Sequence, residues 1–498
     1  MTDHHYAACD LGAESGRVML CHLAGDRLSL AESHRFPSPV VRLPPGPTLR
    51  WDVLQIFGSI VAGLRLAAAT AGRLDGVSVD SWGVDYAVIG CGQPLLWPPY
   101  QYRDGRTAGP YADLRARLGD ELIFEQTGIQ FMPINTLYQL AADAAGPARP
   151  LLDRADGFLT IGDYFNYLLG GVAAVDQSLA STTQLYDPRA RQWSRTLIER
   201  CGLRAHLFPR IVPPGTVLGP MRPEVATDAG LGDGNVPQVI ATCSHDTAAA
   251  VAAVPAEGED WAFLSSGTWS LLGVELPEPL IDERVRQANF TNEAGFNGTT
   301  RFLKNIVGLY VLQELRRAWA ADGMQLDYAE LTEQARSAEP FRSLIQPAEP
   351  RFGAPGRMPE KVAAFCRETG QPAPESPGQF ARCVLESLAL LYRSTLEQLA
   401  LLTGRSIARI HVVGGGSRSD LLNQFTADAT GRAVIAGPVE ASAIGNALVQ
   451  AFALGHIGPA ASAVRDVVRA SFPTRRFTPS GDPRWRAAHE RFQRLPVV

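Results

Sequence analysis

The chemistry in this sequence concentrates in a few short segments, and the first is Ser244-His245-Asp246-Thr247. It follows the apolar run Gln238 to Thr242, which reads as a strand. A carboxylate and an imidazole at the C-terminal end of a strand are well placed to meet a ligand. Asp246 there can take a proton from a hydroxyl, as a general base does. A Ser/His/Asp hydrolase is disfavoured, because adjacent residues rarely form a triad and no GxSxG elbow accompanies them. The local pattern leaves two roles open for Asp246, a ligand-facing base or the cap of the helix that follows.

A second segment, Asp10-Leu11-Gly12-Ala13-Glu14-Ser15-Gly16-Arg17, carries a carboxylate at the end of a strand and two glycines in the turn after it. Glycines let backbone N–H groups approach a phosphate, and a carboxylate beside them can hold Mg²⁺, usually through water. An Asp that merely shapes the turn is the plainer alternative. The pattern returns at Ser265 to Ser270, where Thr268 offers a hydroxyl. Gly414-Gly415-Gly416-Ser417 stands between a strand and a helix, which leaves amides open to an anion, although it has neither the lysine nor the spacing of a P-loop. Asp80-Ser81-Trp82-Gly83-Val84-Asp85 joins two carboxylates to an aromatic face, a mixture suited to sugars. Tyr102-Arg103-Asp104 and Asn305 are further polar candidates.

These segments need elements to position them. Tyr6 to Asp10 and Arg17 to Leu23 read as a hairpin, and Val53 to Thr70 as an amphipathic helix with Ile56, Ile60, Val61 and Leu64 on one face and Gly72 beyond its end. Gly76 to Asp80 and Tyr86 to Ile89 read as strands. In the second half, Trp261 to Ser265 and Trp269 to Glu275 repeat the opening hairpin, and a long helix from Gln379 to Thr403 precedes the strand Ile410 to Val413 and the helix Asp420 to Thr430. Strands alternating with helices predict an α/β protein, and two similar openings half a chain apart predict a duplicated domain. The expected division is 1–252 and 253–498. The Pro/Gly-rich stretches 212–223 and 346–378 read as surface connections.

Composition narrows the partner. The 498 residues are 46% hydrophobic and 19% charged, with a net charge of −5, which is ordinary for a globular chain. Basic residues are scattered, and Lys304 and Lys361 are the only lysines, so neither a nucleic-acid footprint nor a polybasic membrane patch is present. No apolar run long enough to span a bilayer stands uninterrupted, and the first residues resemble no signal peptide, which predicts a cytoplasmic protein acting on a small molecule. Seven cysteines without CxxC spacing argue against a zinc site or a disulfide scaffold. Cys366 and Cys383 are expected to be buried free thiols, with a pairing as the alternative.

Taken together the motifs resemble the FGGY family of carbohydrate kinases over nearly the whole chain. The resemblance rests on AACDLGAESGRVML at 7–20, VDSWGVDYAVI at 79–89, YRDGRT at 102–107, TGIQFMPINTLYQL at 127–140, SHDTAAAV at 244–251, FLSSGTWSLLG at 263–273, LKNIVGLYVLQ at 303–313, HVVGGGSRSDLLNQ at 411–424 and GPVEASAIGN at 437–446. It implies two ribonuclease-H-like domains of the actin and hexokinase type with an interdomain cleft, the N-terminal one mainly for sugar and the C-terminal one mainly for ATP. The implied reaction moves the γ-phosphate of ATP, with Mg²⁺, to the C1 hydroxyl of L-rhamnulose. The alternatives are another ketose such as L-fuculose or L-xylulose, or a non-catalytic sugar-binding regulator. The protein would be a monomer or homodimer. By the same resemblance Asp246 is the general base, and Gly83, His245, Asp246, Thr247 and Asn305 contact sugar. Ala13, Glu14, Ser15, Gly16, Arg17, Thr268, Gln313 and Gly415 lie on the ATP side, with Asp10 near the metal. Position 14 carries Glu where the family pattern usually has a small hydroxyl residue, so its backbone N–H is the group expected to serve.

Overall fold

The computed structural model describes residues 3–44, 48–232, 234–460 and 462–496. The chain forms two compact units: Met1–Pro255 with Glu275–Phe302 and Ala441–Phe472, and Ala256–Val274 with Leu303–Glu440 and Pro473–Val498.

The first unit is built on a six-stranded sheet in the order Thr216–Pro220, Gln238–Ala241, Gly76–Ser81, Asp3–Leu11, Ser15–Ala24, Arg27–Pro37. The three strands that open the chain run antiparallel, Gly76–Ser81 and Gln238–Ala241 add in parallel, and Thr216–Pro220 closes the edge antiparallel. Tyr6 to Leu11 and Gly76 to Ser81 are buried along their whole length, as befits central strands covered on both faces. The helix Val53–Ala71 starts at Asp52, whose side chain accepts the Gln55 N–H, and stops at Gly72 in the left-handed conformation. Its Ile56, Ile60 and Leu64 share one core with Cys9, Val18, Val77, Tyr164 and Phe165. This helix is long and apolar enough to cross a bilayer by length and composition, but its apolar face is already used by that core.

The seven-stranded sheet has the order Thr291–Ala294, Thr300–Val307, Trp269–Leu276, Trp261–Ser266, Arg409–Val413, Ala433–Ala436, Arg475–Phe477. Within the second unit, Trp261–Ser266 pairs antiparallel with Trp269–Leu276 and parallel with Arg409–Val413, Ala433–Ala436 follows in parallel, and Arg475–Phe477 closes antiparallel. From the opening hairpin outward, this is the strand plan of the first sheet repeated. The duplication expected from the two openings is therefore a duplication of sheet topology. The 27-residue helix Pro377–Thr403 runs from a Ser376 cap to Gly404, again left-handed.

One expectation changes and one holds. The stretches 212–223 and 346–378 are not simple connections, because they contain the edge strand Thr216–Pro220 and the helix Met358–Glu368. All seven cysteines are free thiols, and Cys366 and Cys383 are both buried, as expected.

Candidate active site

Sheet register assembles a cluster of carboxylates in the first unit. Asp10 lies directly across from Arg17 on one neighbouring strand and from Asp80 on the other. Directly opposed residues project from the same face of a sheet, so all three side chains meet. Arg17 donates from Nε and Nη2 to Asp10 Oδ2 at 3.0 and 2.7 Å. Asp80 is wholly buried; Asn446 Nδ2 donates to its Oδ2 at 2.6 Å, while Oδ1 has no hydrogen-bond partner. Burial, and after it the charge of Asp10, raises the Asp80 carboxyl well above the usual range.

Asp246 enters the cluster from the next strand. Ser81 N–H donates to Ser244 O at 2.9 Å, and His245 bridges Ser81 in parallel, which sets Asp246 at the start of the helix Asp246–Ala252. The loop is held from behind. Asp176 Oδ1 accepts the Ser244 N–H at 3.1 Å and the Ser178 hydroxyl, and Ser178 Oγ accepts the His245 N–H at 3.0 Å. Asp246 Oδ1 accepts the Thr247 N–H at 2.6 Å and its hydroxyl at 3.2 Å, and lies 3.5 Å from His245 Nε2. The cap position of that helix falls to His245, which makes no side-chain cap bond, and Asp246 is the first helical residue, bonded only to its neighbour Thr247. These contacts all fall on Oδ1, which leaves Oδ2 for a ligand, and 29% of the side chain stays open to solvent. Enclosure by protein, and then the charge of Asp10, pushes the Asp246 carboxyl up to about 7, against the two bonds from Thr247. A carboxylate with a pKa near the working pH is suited to taking a proton from a hydroxyl.

The helix Ala441–Ala453 completes this side of the unit. Gly445 packs so closely on the Asp246–Ala252 helix that a Cβ would come within 1.8 Å of Ala249 O, and Asn446 follows it to Asp80. The GPVEASAIGN motif therefore supports the carboxylate cluster directly.

Gly83 opens a second patch. A Cβ there would meet Thr182 Oγ1 at 3.0 Å, and Val84 beside it has φ +68°, a costly conformation for a β-branched residue. Val84 is held there by its N–H to Thr182 Oγ1 and by Thr136 Oγ1 donating to its carbonyl. Asp85 is fully buried and accepts from Trp51 Nε1, Trp82 Nε1, Tyr102 N and Gln139 Nε2 at 2.7 to 3.1 Å, which holds the two indoles in place, tilted 37° to each other with centroids 4.2 Å apart. Burial raises Asp85 to about 6 despite those donors. Asp104 accepts the Leu49 and Arg106 N–H groups and so serves as a turn anchor.

The first turn is small. Gly12 N–H donates to Ser15 O, and Ser38 N–H donates to Glu14 O, with Glu14 exposed at its tip beside half-buried Ala13 and Ser15. The space that Gly16 leaves is filled by the Phe36 ring, 2.5 Å from where a Cβ would stand.

Thr268, Asn305, Gln313 and Gly415 belong to the second unit. There Thr268 O accepts from Gly308 N and Tyr310 N, and Gly267 O accepts from Leu309 N, so the turn sits on the start of the helix Tyr310–Ala321. Gln313, on the first turn of that helix, keeps a buried Oε1 without a hydrogen-bond partner. A Cβ on Gly308 would come within 2.6 Å of Gly267 O, and one on Gly416 within 2.0 Å of Ser266 Oγ. Gly414 has φ +80° and approaches Ser266 O, while Gly415 is exposed. Three chain segments thus meet at bare backbone and a hydroxyl, with no carboxylate in the Gly267–Ser270 or Gly414–Ser417 turns.

Among the described residues, no three His, Cys, Asp or Glu side chains come together as a metal cage. Mg²⁺ bound through one carboxylate, waters and phosphates needs no such cage, and Asp10 fits that mode. The residues not singled out in advance are Asn446, Asp176, Ser178, Glu293 and Arg301; only Asn446 lay in a motif that pointed to it.

Residues 5–253 match the model of the FGGY family of carbohydrate kinases, N-terminal domain, and residues 262–454 that of its C-terminal domain. A protein of Bacteroides thetaiotaomicron named rhamnulokinase is 41% identical over 98% of this chain and 99% of its own length. One of Bacillus subtilis with the same name is 38% identical over 95% of both. Among solved structures, a xylulose kinase from Lactobacillus acidophilus aligns with a TM-score of 0.80 at 16% identity, covering 98% of this chain and 96% of its own. Plasmodium falciparum glycerol kinase with ADP aligns with a TM-score of 0.79 at 14% identity over 99% of each. These two share the two-domain α/β fold.

Proposed function

The chain belongs to the FGGY family of carbohydrate kinases, and from that premise we propose that it transfers the γ-phosphoryl group of ATP to the C1 hydroxyl of L-rhamnulose. The sugar is chosen on the name shared by relatives that are 38–41% identical along nearly their full length. The observation that carries the chemistry is Asp246: half-open, tied on one oxygen only, and raised to about 7.

In this reading the hydroxyl proton passes to Asp246 Oδ2 as the bond to phosphorus forms. Gly83, His245, Thr247 and Asn305 orient the sugar. The backbone of Ala13 to Gly16, with Arg17, Thr268, Gln313 and Gly415, holds the nucleotide. Asp10 would hold Mg²⁺ beside the triphosphate, and the ion when bound would supply neutralisation of phosphate charge. Residues 1–252 then act as the mainly sugar-binding domain and 253–498 as the mainly ATP-binding one, in a cytoplasmic enzyme.

ADP release measured with L-rhamnulose, L-fuculose, L-xylulose and glycerol tests the reading. L-Rhamnulose is expected to give the highest kcat/KM. Preference for another ketose overturns the substrate, and no turnover of any of them overturns the kinase reading in favour of a silent sugar binder.

A further inference from the structure

Behind Asp246 lies a polar arrangement that the proton transfer itself does not use. Arg301 is fully buried, donates from Nε to Ala294 O at 3.1 Å, and has its Nη2 3.0 Å from Glu293 Oε2. The same Nη2 lies 3.1 Å from His245 Nδ1. A guanidinium can only donate, so Nδ1 must be the acceptor, and the single ring proton must sit on Nε2. Nε2 faces Asp246 Oδ1 at 3.5 Å. The ring is equally constrained in charge. An imidazolium would turn an N–H against the guanidinium, and burial together with Arg301 pushes the His245 pKa well down. Glu293 Oε2 also stands 3.6 Å from His245 Nδ1. Without the arginine it would draw the ring proton to Nδ1 and turn the bare Nε2 lone pair toward the carboxylate.

We propose that Glu293 and Arg301 are positioning residues that fix His245 as the neutral Nε2–H tautomer, so that the ring presents a donor to Asp246 or to a sugar hydroxyl beside it. Glu293 balances the buried charge of Arg301; Arg301 sets the tautomer; His245 carries the result to the site. A lone buried guanidinium would be too costly to keep for this purpose, which is why the acid is required. The proposal rests on Asp246 as the base, but the tautomer does not.

The test is ring ¹⁵N–¹H correlation on histidine-labelled full-length protein, with His245 assigned by its loss in His245→Gln, alongside kcat with ATP and L-rhamnulose. The wild type is expected to show His245 protonated on Nε2 alone. Arg301→Met should move the proton to Nδ1 and lower kcat at least ~10-fold, as a wrong tautomer does in other His–carboxylate sites. Arg301→Lys, still a pure donor, should keep the Nε2–H pattern and recover part of kcat. Because Arg301→Met leaves Glu293 unpaired and exposes the fold to failure, Glu293→Leu/Arg301→Met is the control. It removes both charges and should stay folded, yet lose the single-tautomer pattern. A wild-type His245 protonated on Nδ1, or a folded double variant with unchanged kcat, overturns the proposal. Absence of turnover in the wild type bears on the kinase reading alone, since the ring pattern is read without catalysis.

Discussion

The two strand–turn–strand openings share one sheet plan and differ in chemistry. In the first, Asp10 faces Arg17 and Asp80 across the sheet, and Asp246 adds a third carboxylate. In the second, the Ser266–Thr268 turn carries hydroxyls and is walled by Gly308 and Gly416, where a Cβ would come within 2.6 Å of Gly267 O and 2.0 Å of Ser266 Oγ. Crowded carboxylates raise each other's pKa, which makes a base. Bare backbone leaves N–H groups open, which suits an anion. A duplicated scaffold has thus kept its strand order while its turns were specialised, one by charge and the other by lack of side chains.

The contrast breaks most sharply at Asp246. Asp246→Asn is expected to lower kcat by at least ~10²-fold while the KM for ATP moves little; a variant with full kcat would remove the base from the first unit. Thr268→Val should do the reverse, raising the KM for ATP more than it lowers kcat. If both variants lose the same parameter, the division of labour fails.

The second unit's glycine wall is tested by stability. Gly416→Ala places a methyl on Ser266 Oγ and should cost about 1–3 kcal/mol by overpacking, read as a lower midpoint in urea. Gly12→Ala meets only Ser15 O at 3.1 Å and should cost less. Equal losses would mean that the first turn depends on bare backbone as much as the second.

Charge is tested by pH. The kcat/KM profile should rise through a midpoint of about 7 as Asp246 loses its proton. Since Asp10 raises that carboxyl, Asp10→Asn should move the rising limb to lower pH in whatever activity remains. A limb that stays in place would show that burial alone sets the value. The smallest effect concerns Asp163 and Asp176, buried together behind the Ser244–His245 loop and both raised by burial. A carboxyl raised in the fold binds its proton more tightly there than in the unfolded chain, so its contribution falls as pH rises from about 4 toward the raised values. Asp163→Asn should flatten that part of the Tm-versus-pH curve.

Much of this was legible locally. The helix at Val53 is announced by its apolar face and by Gly72 after it, and Tyr86 to Ile89 and Asp420 to Thr430 fall where their patterns place them. The edge strand at Thr216 and the helix at Met358 were hidden by proline and glycine. Pro359 starts that helix rather than breaking it, since the first turn needs no N–H there, and an edge strand tolerates Pro220.

The sequence by itself determined the family, the doubled α/β plan and Asp246 as a candidate base, because motifs and periodicities are properties of neighbouring residues. Only the tertiary structure decided what surrounds that carboxylate. Asp10, Asp80 and Asn446 converge from three separate parts of the chain through strand register and one glycine-sized helix contact. Glu293 and Arg301 carry no local signal at all. A pKa and a tautomer depend on distances through space, and those exist only once the chain has folded.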